Sequence, residues 1–209
     1  MGAVWGIVVA GGQGSRFGAP KQFADLAGIR VVDRSVLAAR DACDAVVLVL
    51  PAECDWDGPG VDAVVAGGAT RSASVRAGLA AIPAEVEVVV VHDAARPLAP
   101  VQLFRAVIEA VRTGADGAVP AVPVADTLKR VHGVDVMETV DRDELVIAQT
   151  PQAFRADALR DAHVGAVDAS DDAALVEARG GRIVVVPGEP TNRKITTPTD
   201  LVIATATLS

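Results

Sequence analysis

The stretch VVAGGQGSRFGAPKQF, residues 8–23, ends an apolar run in a glycine cluster and then places Arg16 and Lys21 close behind it. Successive glycines after a buried strand let backbone N–H groups turn inward and cradle an anion. Ala10, Gly11, Gly12, Gly14 and Ser15 would form that cradle, with Arg16 and Lys21 supplying fixed positive charge on either side of it. Two familiar phosphate loops are excluded by spacing. A dinucleotide fingerprint needs glycine three places after Gly14, where Phe17 stands, and a Walker A loop needs Gly-Lys-Ser/Thr, whereas Lys21 follows Pro20. A tight strand-to-helix turn with two solvated basic residues is the plainer alternative.

Three further places carry groups that could do chemistry. Asp93 follows the run EVEVVVV, at the mouth of what reads as a buried strand. A carboxylate there is placed to hold Mg²⁺ against a polyphosphate, because Mg²⁺ commonly takes one or two protein carboxylates plus substrate oxygens; a helix-cap or loop aspartate is the alternative. His92 has no neighbouring histidines to make a metal site with, and Arg96, before Pro97, reads as a brace for the loop. Lys194 in NRKITTPTDL precedes a helix start, with Thr197 as N-cap and Pro198 in the first turn. Lysine is scarce here, with Lys21, Lys129 and Lys194 against sixteen arginines, so each asks for a reason. Asp171 and Asp172 are a possible metal pair, better explained as helix capping.

These residues need a scaffold that brings loop ends together. Strands are expected near 4–10, 45–50, 62–66, 86–91, 117–122 and 182–186, and helices near 33–42, 72–82, 100–113, 155–163, 171–179 and 198–207. Strands apolar on both faces, alternating with helices, predict a Rossmann-like α/β fold, a mostly parallel sheet covered on both sides. Ligands then sit beyond the carboxyl ends of the strands. The pattern VVAGG recurs at 64–68, which is either the look of any strand-to-helix turn or a second glycine wall, so that two turns grip different parts of one nucleotide. Residues 124–148 break the rhythm and read as a two-stranded arm around His132-Gly133. An isolated hairpin is marginal in water, so a second copy of the chain is its expected cover.

Composition narrows the class. One domain over residues 1–209 is expected, burying about 70% of the surface its unfolded chain exposes. The net charge of −8 argues against nonspecific nucleic-acid binding, though not against a small anion met by clustered cations. No apolar run is long enough to span a bilayer. The N-terminus lacks a basic leader region, so no signal peptide is expected. Two cysteines, Cys43 and Cys54, point to a reducing cytoplasm rather than a disulfide framework.

AGGQGSRFGAPKQF resembles the signature loop of nucleotidyltransferases that activate sugar phosphates. Together with VHDAARP, ADTLKR, TVDR, TPQAF and KITTPTDL, in order over nearly the whole chain, it resembles the 2-C-methyl-D-erythritol 4-phosphate cytidylyltransferase family. The resemblance implies transfer of CMP from CTP to methylerythritol phosphate with Mg²⁺, in isoprenoid precursor biosynthesis. It implies a homodimer whose β-arms reach the partner's site. It matches Arg16 and Lys21 to stabilisation at the α-phosphate, and Arg142 and Lys194 to positioning of the attacking phosphate. Thr127 and Thr150 match contacts to the alcohol, Asp93 a metal and substrate contact beside Ala94, and Gly67 and Ser74 the reading of cytosine. Ala69 and Thr70 stand where some relatives carry acidic residues. No second enzymatic domain follows the last helix, so the fused bifunctional form is not expected. Two rival readings remain, a ribitol-5-phosphate cytidylyltransferase and a CTP-binding regulatory domain without chemistry; a Rossmann dehydrogenase is more distant, for want of the fingerprint.

Overall fold

The computed structural model describes residues 2–12, 17–165, 168–169 and 171–208. The chain opens with β1 (Val4–Val9), a single 3₁₀ turn (Lys21–Phe23) and a small hairpin of β2 (Asp25–Leu26) and β3 (Ile29–Arg30). Then come α1 (Val31–Arg40), β4 (Ala45–Leu50), β5 (Ala63–Ala66), α2 (Arg71–Ala80), β6 (Val88–Asp93), α3 (Val101–Arg112) and β7 (Gly117–Pro123). An excursion of β8 (Leu128–His132) and β9 (Asp135–Val140) precedes β10 (Val146–Ala148) and β11 (Gln152–Arg155). The chain closes with α4 (Ala156–Ala162), α5 (Asp172–Ala178), β12 (Ile183–Pro187) and α6 (Pro198–Thr207).

Eight strands make the central sheet, running β12, β7, β11, β6, β1, β4, β5, with β10 continuing along the β11 edge of β7. β1, β4, β5 and β6 pair in parallel, as do β7 and β12. All six residues of β4 and of β6 are buried, which is why those strands are β-branched without alternation. The core lies in two layers. Val8, Val36, Leu48, Phe104 and Val107 pack on the face covered by α1 and α3, and Ile7, Val75, Val89, Leu159 and Val176 on the face covered by α2, α4 and α5. In α3 the buried Leu103, Phe104, Val107, Ile108 and Val111 recur at helical spacing, so the sheet takes one stripe of that helix. Gly78 lets α2 lie close on β1, since a Cβ there would come within 2.7 Å of the Ile7 side chain.

Two short antiparallel strands, β10 and β11, depart from the expected alternation. β11 runs antiparallel between β6 and β7 and was not anticipated, because QAFR is too short and mixed to announce a core strand. It lays Gln149 and Thr150 beside the end of β6. Of residues 124–148, only β8 and β9 project as a hairpin, turning through Gly133 at φ +60°, a conformation suited to glycine. The terminal helix start is as read: Thr197 and Asp200 form a reciprocal capping box with Pro198 in the first turn.

Candidate active site

Three strand ends open on one cleft of about 530 Å³. β1 delivers Ala10, Gly11 and Gly12, and β5 delivers Gly67 to Thr70. The two glycine turns meet: a Cβ on Gly67 would stand 3.4 Å from the Gly11 Cα and 3.0 Å from Ser74 Oγ. Both turns hang on β4, with the Ala10 N–H donating to the Val49 carbonyl and the Gly67 N–H to that of Leu50. Gln22, buried beneath, donates to the Gly12 carbonyl at 3.1 Å and so holds the first turn, while Lys21 lines the cleft beside it. Ser74 accepts from the Gly68 N–H and donates to the Thr70 carbonyl, fixing the second turn. Thr70 caps α2 through the Ala73 N–H and donates to Asp168, so its hydroxyl is engaged on both sides.

β6 delivers Asp93, and here the charge is concentrated. Its Oδ1 accepts from Arg71 Nε at 3.0 Å and its Oδ2 from Lys194 Nζ at 2.6 Å. Burial alone would raise this carboxyl; the Arg71 guanidinium and the Lys194 ammonium outweigh it and hold the group well below the usual carboxylate range. Arg71 continues to Asp172 at 2.7 Å, and Asp172, fully buried, also meets His163 Nε2 at 3.1 Å. Burial opposes the charge on Arg71 too, and its two carboxylate partners more than restore it. His92 is buried against Phe104 and kept neutral, its pKa pushed down to about 4 chiefly by burial. The Thr150 hydroxyl accepts from the Asp93 N–H and lies 3.2 Å from His92 Nδ1.

The loop carrying Lys194 is fastened from below. Asn192 is buried and donates to the Thr150 carbonyl and to Gln149 Oε1, Arg96 donates to the Asn192 carbonyl, and the Ile195 N–H donates to Ala95. Arg96 therefore is a brace, as its place before proline suggests. A smaller cavity of about 170 Å³ adjoins the cleft, sharing Arg71, Asp93 and Lys194 and adding Arg96, Gln149 and Thr150. A polar cavity next to a glycine-walled cleft, with one lysine between them, is suited to bringing two anionic ligands together.

Known proteins similar to this chain point the same way. Residues 4–209 match the model of the family described as 2-C-methyl-D-erythritol 4-phosphate cytidylyltransferase. The enzyme of that name from Rhodococcus jostii is 46% identical, over 98% of this chain and 95% of its own. The one from Saccharopolyspora erythraea is 43% identical over 99% of this chain and 100% of its own. The crystal structure of the Thermus thermophilus enzyme superposes with a TM-score of 0.85 at 37% identity, covering 99% of this chain and 98% of that one.

The chain belongs to the 2-C-methyl-D-erythritol 4-phosphate cytidylyltransferase family. It is therefore a cytidylyltransferase, a nucleotidyltransferase of isoprenoid biosynthesis, and neither the ribitol phosphate nor the regulatory reading is favoured.

Of the expected site residues of this cytidylyltransferase, Ala10, Gly11, Gly12, Lys21, Ser74, Asp93, Ala94 and Lys194 line the cleft, and Gly67 packs at its base. Thr150 lines the adjoining cavity. Gly14, Ser15 and Arg16 lie outside the described residues. Thr127 and Arg142 are exposed at the foot of the arm and do not line their own chain's cleft; Arg142 donates to the Ala125 carbonyl. Sequence reasoning gave no role to Arg71 and did not find the buried roles of Asp172 and Asn192. Arg71 did carry a signal, as the first residue of a helix entered through a glycine turn. Asp172 read as part of a cap; Asp171 is the cap, accepting from the Ala174 N–H. Among the described residues no three His, Cys, Asp or Glu gather as a metal site. Among the described residues Asp93 alone offers a carboxylate to the cleft, and each of its oxygens keeps a lone pair beyond the one its cation takes. A single carboxylate beside phosphate oxygens fits the usual Mg²⁺ arrangement. Among the described residues no helix is long and apolar enough to cross a membrane.

Proposed function

We propose that the chain carries out transfer of CMP from CTP to 2-C-methyl-D-erythritol 4-phosphate, with the nucleotide in the glycine-walled cleft and the alcohol phosphate in the adjoining polar cavity. The observation that carries this reading is the position of Lys194 and Asp93, common to both cavities. The acceptor's phosphate oxygen attacks the α-phosphorus, a new P–O bond forms, and the α–β bridging oxygen departs with its electron pair as pyrophosphate. The nucleophile is already ionised, so no general base is required. What must be overcome is the meeting of two anions, and the means are positioning and fixed charge. The amides of residues 10–12 hold the triphosphate, Lys21 offsets charge growing at the α-phosphate, and Lys194 orients the incoming phosphate. Arg16 is assigned with Lys21 on the family resemblance. Mg²⁺, held by Asp93 and phosphate oxygens, would neutralise charge on the triphosphate.

The protein would work as a homodimer in the cytoplasm. Exposed Val131, Val134, Val136 and Met137 on the arm support a covering second copy, and the two free cysteines accord with a reducing compartment. Thr127 and Arg142 would then serve the partner's cleft.

Pyrophosphate release tests the reaction. With Mg²⁺ and CTP, methylerythritol phosphate should exceed ribitol 5-phosphate and any hexose 1-phosphate in kcat/KM; a preference for ribitol phosphate would overturn the acceptor assignment.

A further inference from the structure

Arg71 occupies a position that the reaction as described does not use. It is the first residue of α2, directly after the turn that walls the nucleotide, and its guanidinium bridges two carboxylates of different elements. Asp93 is nearly buried, with a tenth of its side chain exposed; Asp172 is wholly buried; Lys194, with 39% exposed, is the most accessible member of the group. The four side chains carry two positive and two negative charges. Of the two cations in this group, Lys194 is the more exposed and is bonded to one carboxylate, whereas Arg71 is held by two. Departure of Lys194 would leave Arg71 as the one side-chain cation bonded to Asp93 among the described residues, and a buried carboxylate without a partner is costly.

We propose that Arg71 is a positioning residue: anchored by Asp172, it holds the Asp93 side chain in place while Lys194 moves between that carboxylate and the acceptor's phosphate. Because Asp172 is held in turn by His163, the anchor belongs to the packed α4 and α5 helices and not to the glycine turns around the ligands. The guanidinium suits this task where an ammonium would not, because its fork meets Asp93 through Nε and Asp172 through Nη1 at once. Arg71 also joins the two halves of the site, since the turn before it walls the nucleotide and Lys194 faces the acceptor. The inference rests on the reaction proposed above.

A double-mutant cycle with Lys194 tests it. Arg71→Gln should lower kcat/KM for the acceptor roughly a hundredfold in the wild-type background but less than about threefold when Lys194 is already alanine. The Kd for CTP, measured by calorimetry without acceptor, should change less than about threefold. Equal losses in both backgrounds would overturn the proposal, showing that Arg71 does not act through Lys194. A rise in the Kd for CTP matching the kinetic loss would also overturn it, making Arg71 a direct ligand of the nucleotide. Since Arg71→Gln strands the Asp172 carboxylate, Arg71→Gln with Asp172→Asn is the companion variant, its fold checked by its melting curve. It should show the same acceptor defect, and full recovery of acceptor kinetics would refute a role in holding Asp93. Wild-type enzyme that released no pyrophosphate would sink the reaction and this inference together, whereas active wild type with equal losses sinks the inference alone.

Discussion

The cleft and the arm use the same kinds of residue to opposite effect. In the cleft, Arg71, Asp93 and Asp172 form ion pairs that water hardly reaches, so each partner is compelled to stay. In the arm, Arg130 and Glu138 pair across β8 and β9 with more than half of each side chain exposed. Val134 at the tip is 96% exposed, and β8 and β9 are exposed almost throughout. Distance does not distinguish the two regions; dielectric does. A pair in the cleft is part of the architecture, and a pair on the arm is replaceable by solvent unless another surface covers it.

The largest effect is therefore expected from Asp172→Ala. It leaves the Arg71 guanidinium with one carboxylate where it had two and removes His163's partner, at a cost of about 3–5 kcal/mol. Urea unfolding should show the midpoint falling with the slope unchanged. A variant as stable as wild type would mean that water already enters this cluster, and the contrast with the arm would collapse.

The difference between the regions also explains what could be read from sequence. The glycine turns, Lys21, Asp93 and the Thr197 cap declare themselves through local chemistry, since a strand end, a turn and a helix start are each written in a few adjacent residues. The six expected strands and six helices are found, β4 and α6 at their expected bounds and the others displaced by a residue or two. The buried roles of Asp172 and Asn192 gave no such sign, and Asp172 reads with Asp171 only as helix capping. Their roles depend on partners from distant parts of the chain, Arg71 for one and Gln149 and Thr150 for the other, brought together by an antiparallel strand that a four-residue segment does not announce. The reading of Asp93 was also incomplete. Asparagine there would remove a charge and at the same time release Arg71 and Lys194, so a changed Mg²⁺ dependence in Asp93→Asn would not isolate a metal contact.

Second in size is Lys21→Ala. If Lys21 acts on charge that develops only as the α-phosphate bond breaks, kcat should fall roughly 10²–10³-fold while CTP affinity changes far less. Stability should fall less than in Asp172→Ala, because Lys21 is only half-buried whereas Asp172 is wholly buried. A raised KM for CTP with kcat intact would make Lys21 a ground-state anchor.

The third prediction joins the two regions. Arg142 stands at the foot of the arm, away from its own chain's cleft. If the arm crosses to a second copy, Lys21→Ala and Arg142→Ala homodimers are each nearly inactive, for want of one cation at every site. Mixing them under exchange gives heterodimers with one doubly defective site and one intact site. Random pairing makes half the dimers mixed, so activity should return to roughly a quarter of wild type. No recovery, with subunit exchange confirmed by mass, would mean that Arg142 serves its own chain.

The smallest effect belongs to the arm's own ion pair, and its smallness is informative. Arg130 and Glu138 are registered opposite each other beside a bulge between Arg130 and Val131, and in solvent their attraction is screened by water and salt. The double replacement Arg130→Gln with Glu138→Gln keeps both side chains long and polar while removing both charges. Measured at high protein concentration, its melting temperature should stay within about 1 °C of wild type, since exposed pairs contribute little. Lys129, which donates to Thr139 one step along the same ladder, keeps the two strands in register in the variant. Should the variant instead melt several degrees lower, with a deficit that grows on dilution, the pair would not be exposed in solution at all. It would lie under a second copy of the chain, its charges as little hydrated as those of Arg71 and Asp93, and the arm would belong with the cleft among the parts of the molecule that cannot lose a partner.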